Sequence, residues 1–189
     1  MEQTHQYLVE CFKCSYDEMK FRIRHRDAWL KTHLLAQFVI AAMASGVNVK
    51  LVESTDALPI MLSLSLPVSL VILIFYLIEE NTISSLSRYL AGLSKVESEI
   101  TSGAIIYNFD SSEVVTTFFK DTQKMRVFAQ FISFLVIPLL LFFAPMREIK
   151  TLSYFELAIN FVLSVSIVFL IIRAHINRQH KLNERVEVN

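Results

Sequence analysis

The chain has 189 residues, 53% of them hydrophobic, and a mean hydropathy of +0.46, which excludes an ordinary soluble domain and fits a protein with several membrane spans. Eighteen basic and eighteen acidic residues give a formal net charge of zero. Bulk charge therefore points to no partner, and the placement of the charges carries the information.

Residues 1–32 are rich in charge and contain no apolar core of signal-peptide type, so a cytoplasmic amphipathic helix is expected. Leu8, Phe12, Ser15, Met19 and Ile23 mark one face at helical spacing. Lys13, Lys20, Arg22, Arg24, Arg26 and Lys31 line the polar side, with Glu10, Asp17, Glu18 and Asp27 among them. The two cysteines, Cys11 and Cys14, form C-x-x-C, but a zinc site needs two further ligands and only scattered histidines are at hand. Small packing residues are the better reading, and no metal or cofactor is expected.

Residues 33–78 form a predicted first transmembrane hairpin. Its first span, Leu34 to Val49, is short, with Gln37, Ala41, Ala44 and Asn48 on one small-and-polar face suited to close helix contact. Trp29 and His33 are expected at the inner interface, where amphipathic rings are favoured. The second span, Leu58 to Ile78, carries Pro67 at its middle, which predicts a kink, with Ser63, Ser65 and Ser69 available to the freed carbonyls.

Residues 79–125 are a predicted cytoplasmic helical segment. Ile83, Leu86, Leu90, Leu93, Val96 and Ile100 continue the second span as an amphipathic helix that Gly103 ends, and Asp110 to Glu113 has the spacing of a new helix start. Residues 126–172 are the second transmembrane hairpin, with spans Val127–Ala144 and Ser153–Ile172, and Pro138 predicts another kink. Residues 173–189 are a cytoplasmic tail, helical at first and then frayed.

Orientation follows from Lys and Arg counts. Fifteen fall in the N-terminal, middle (through Arg126) and C-terminal segments, and three in the two short loops. Both termini are therefore expected in the cytoplasm. The fold expected is all-α: an integral membrane protein with four transmembrane helices and cytoplasmic helical extensions, working as an oligomer.

Ser153, Glu156, Asn160 and Ser164 form one stripe on the fourth span. A carboxylate, an amide and a hydroxyl in line suit protein or water better than lipid, which makes Glu156, Asn160 and Ser164 pore-lining candidates. Two plainer readings compete. Ser153 to Glu156 is also a capping-box pattern, and Asn160 and Ser164 could bond a neighbouring helix. The basic N-terminal face has two readings as well. Inner-leaflet headgroups or internal ion pairs explain it, the interspersed acids favouring the latter, while a phosphate ligand could dock there with Tyr7 or Tyr16 as a stacking surface. Enzyme chemistry is not expected, because no Gly-rich phosphate loop, H-E-x-x-H or G-x-S-x-G occurs. Glu79 and Glu80 beside His175 are the one acid–base grouping conceivable for lipid chemistry.

The stretch Tyr16-Asp-Glu-Met-Lys20-Phe-Arg22-Ile-Arg24-His-Arg26-Asp27 before the first span, and Ile83-Ser-Ser-Leu-Ser-Arg-Tyr89-Leu-Ala after the second, resemble the small four-span membrane effectors of bacterial antiphage defence, of the Hailong channel type. By pattern the resemblance covers residues 7–100, and elsewhere the architecture alone. It implies an ion channel, a homotetramer in the bacterial inner membrane, controlled by a nucleotide or oligodeoxynucleotide that an operon nucleotidyltransferase makes. Opening would let ions depolarise the membrane, an abortive-infection output. Arg22, Arg24, Arg26, Lys20 and Tyr16 are then the ligand-sensing or gating candidates.

Overall fold

A computed structural model describes residues 2–44, 64–100, 125–143 and 154–187. These are helical throughout, apart from a turn at Leu64, and form α1 (Glu2–Ala44), α2 (Ser65–Ile100), α3 (Met125–Phe143) and α4 (Tyr154–Glu187). Three stretches are long and apolar enough to cross a membrane: Ser65–Leu90, Met125–Phe143 and Leu157–Asn177. At 1.5 Å per residue their 26, 19 and 21 residues extend about 39, 29 and 32 Å, enough for a hydrocarbon core of about 30 Å. The expected external loops, the start of the second span, Gly103 and the helix start at Asp110 lie outside the described residues.

Neither Gly nor Pro occurs between Glu2 and Ala44, so nothing in the chain interrupts α1. Pro67 behaves differently from expectation. The described helix begins at Ser65, so Pro67 stands in its first turn, where a missing N–H costs little, and no mid-helix kink is required. Pro138 does disturb its helix, but as a register change rather than a simple bend. Ile132–Val136 forms a π turn, and the Ile137 N–H bonds Ile132 O, five residues back. The tail is helical to Glu187.

The chain forms two compact units, each built from two stretches: Met1–Ala28 with Leu77–Met125, and Trp29–Tyr76 with Arg126–Asn189. In the first unit Leu77, Glu79, Glu80 and Leu90 are buried. In the second, Leu66, Leu73, Phe134, Ile167 and Ile171 are fully enclosed, and α4 packs against the π turn. Phe134 is the hub. Its ring stacks on His33 with centroids 4.5 Å apart and lies tilted against Tyr76 at 5.6 Å.

Candidate functional site

Within the second unit, the end of α1 reverses the usual sorting of side chains. His33 and Gln37 on α1 are buried, while Leu34, Leu35, Phe38 and Val39 beside them are exposed. Positions 33 and 37 are one turn apart and share a face, so one polar edge points inward while Leu34, Leu35, Phe38 and Val39 point out.

Gln37 is tied to the start of α2 by all of its amide. Its Nε2 donates to Ser65 O at 3.2 Å and to Ser69 Oγ at 3.0 Å, and its Oε1 accepts from Ser65 Oγ. Ser69 Oγ in turn donates to Ser65 O at 2.8 Å. Ser65 and Ser69 are one turn apart, so one amide can bridge both. The predicted small-and-polar face of the first span is in this respect a helix–helix hydrogen-bonding edge.

His33 makes the second polar contact, and not the interfacial one its ring chemistry suggests. It is fully buried, and its Nε2 donates to Ser133 O at 2.8 Å. A carbonyl only accepts, so Nε2 carries a proton. Nδ1 is buried with no hydrogen-bond partner among the described residues. Ser133 O needs this donor because its own helix gives it none. The Ile137 N–H is taken by Ile132 O, and Pro138, the next donor along, has no N–H. Trp29, the other expected interface ring, stacks on Phe75 with centroids 4.9 Å apart.

Of the fourth-span stripe, the helix backbone includes Glu156, but its side chain and Ser153 fall outside the described residues. Asn160 is buried at 5% exposure within the single chain. Ser164 is half-buried, and its hydroxyl donates to Asn160 O at 2.7 Å, so its own helix satisfies it.

In the first unit the basic candidates divide. Arg22 Nε donates to Glu18 at 2.7 Å, and its Nη1 donates to Glu79 Oε2 at 3.4 Å. These carboxylates, Glu18 foremost, hold the guanidinium above the ordinary arginine range. His25 Nδ1 meets Glu79 Oε1 at 3.1 Å, so the buried Glu79 carboxylate has a partner on each oxygen. Arg26 is paired with Asp27 at 2.8 Å. Lys20 lies over the Tyr16 ring, 4.3 Å from its centroid. Arg24 is exposed and makes no ion pair among the described residues. Internal pairing thus occupies Arg22 and Arg26, whereas Arg24 and the Lys20–Tyr16 pair face solvent. Sequence reasoning missed Glu79 as the anchor of Arg22, because 57 residues separate the two.

No family model, curated protein or solved structure matches the chain.

Proposed function

We infer that the chain is a four-span membrane effector that assembles with copies of itself into a gated ion channel, controlled from the cytoplasm by a nucleotide or oligonucleotide signal. Its opening depolarises a bacterial inner membrane as an antiphage output. The observation that carries the membrane part of this reading furthest is the reversed sorting of Trp29–Ala44. A helix end with His33 and Gln37 inward and Leu34, Leu35, Phe38 and Val39 outward suits lipid better than water, which supports the end of α1 as a membrane span beside the three long apolar helices. Both termini are then cytoplasmic by the Lys and Arg count. Control by an anionic ligand rests on the sequence resemblance and on Arg24 and Lys20, which are exposed on α1. The assembly is a tetramer on the same resemblance, and Glu156, above Asn160 and Ser164, is the residue that would form an acidic ring at the outer mouth.

A non-conducting scaffold is the second reading, favoured by the burial of Asn160 inside one chain and the self-satisfied hydroxyl of Ser164. A membrane-potential dye in bacteria expressing the chain, intact and lacking residues 1–25, separates the two. Depolarisation that appears or grows on deletion supports a pore restrained by its N-terminal helix. Two silent forms, both found in the membrane, refute conduction. Asn160→Leu sharpens the choice: a scaffold loses assembly, whereas a channel keeps assembly and changes conductance.

A further inference from the structure

We propose that α3 is a two-register helix, and that His33 holds it in the π register by supplying the hydrogen bond that this register denies to Ser133. Two local costs oppose each other. In a regular α-helix the Pro138 ring presses on the carbonyl of Phe134, four residues back, and offers it no N–H. Widening the preceding turn relieves that clash, and Ile132–Val136 is widened in this way. The widening has its own cost. The Ile137 N–H serves Ile132 O instead of Ser133 O, and the donor five residues beyond Ser133 is Pro138. A carbonyl without a donor is expensive away from water. His33, 100 residues earlier in the chain, closes that gap at 2.8 Å, with its ring braced on Phe134.

In the alternative register Ile137 N–H returns to Ser133 O, and His33 loses its claim on that atom. A π turn is one extra residue in an α-helix. Absorbing it turns one end of α3 relative to the other by about 100° and lengthens the helix by about 1.5 Å. With the Pro138–Phe142 end held in the core, each residue before the turn takes the face now held by its predecessor. Phe131 takes the buried place of Gln130, Gln130 takes the exposed place of Ala129, and exposed Phe128 takes the half-buried place of Val127. Because α4 lies against the π turn, this rotation repacks two helices at once. The switch stands or falls independently of ion conduction.

The test is oxygen accessibility of single nitroxide labels in liposomes. Labels are placed through Phe128→Cys, Phe131→Cys or Leu140→Cys, each in a chain carrying Cys11→Ser and Cys14→Ser. None of these positions is buried. They are compared with His33 present, with His33→Leu, which removes the donor, and with Pro138→Ala, which removes the clash. Both changes push toward the α register. One net hydrogen bond moves such an equilibrium by roughly two- to twelvefold. Access should fall at Phe128 and Phe131 together, or at Leu140 if that end turns instead, and His33→Gln, which keeps a donor, should leave the pattern unchanged. Unchanged access at all three labels in both His33→Leu and Pro138→Ala overturns the proposal. So does a uniform rise at all three, which would make His33 a general packing residue.

Discussion

Replacing Gln37 by Leu probes the buried polar knot directly. The amide makes three side-chain hydrogen bonds, two to Ser65 and one to Ser69. Side-chain hydrogen bonds between membrane helices average about 0.6 kcal/mol, so three would sum to about 2 kcal/mol. One of them is redundant, because Ser69 Oγ already donates to Ser65 O at 2.8 Å and would continue to do so. Leu also fills nearly the same volume, so no cavity is added. The expected loss is therefore about 1–2 kcal/mol, most of it at the Ser65 hydroxyl. Unfolding in mixed micelles, read by helix content against the mole fraction of denaturing detergent, measures it. A cycle with Ser65→Ala should return a coupling of about 0.5–1 kcal/mol, since the two share one bond pair. A Gln37→Leu chain within about 0.3 kcal/mol of the parent, or more stable, would refute the claim that this amide holds α1 to α2.

Two further outcomes follow from the same geometry. Glu79→Gln removes the buried charge that faces the partly exposed Arg22 and His25, and should lower the thermal unfolding midpoint. Adding Arg22→Gln should recover part of that loss, and a strictly additive result would mean that the pair is not coupled. Phe134→Ala removes the ring between His33 and Tyr76 and should destabilise by about 3–5 kcal/mol. In that variant a small apolar solute such as benzene should raise the unfolding midpoint by refilling the void, and no such rescue would mean that the helices had collapsed into the space.

Much of the helical framework was legible in the sequence because run length alone reveals it. Continuous apolar stretches before Glu79, after Arg126 and after Ser153 have few other readings. Residues such as His33 were not legible. An aromatic ring with a polar edge beside an apolar run suits a membrane interface, and no local pattern distinguishes that from a core histidine. Its partner is a carbonyl 100 residues later, exposed by a proline whose effect sequence could place but not describe. A kink and a π turn both follow from Pro138, and the choice depends on whether a donor from elsewhere meets the freed carbonyl. The basic face behaved similarly. Its spacing was readable along α1, but Glu79, which sorts Arg22 from Arg24, lies on another helix. Spacing also put Asn160 and Ser164 in line, while their surroundings depended on what packs beside them.

The inward polar edge of Trp29–Ala44 also bears on how the protein is made. If this segment spans the membrane as proposed, His33 and Gln37 make it a poor substrate for the insertion machinery, since each polar group must be stripped of water before any protein partner arrives. For Gln37 those partners are Ser65 and Ser69, about thirty residues behind it in the chain. Synthesis at about 5–20 residues per second delivers them within seconds. On the proposed four-span reading, the first segment is best released into lipid together with the second, its amide already matched. For His33 the wait is longer, because Ser133 is translated 100 residues later. The π turn can settle into its final register only after most of the chain has left the ribosome.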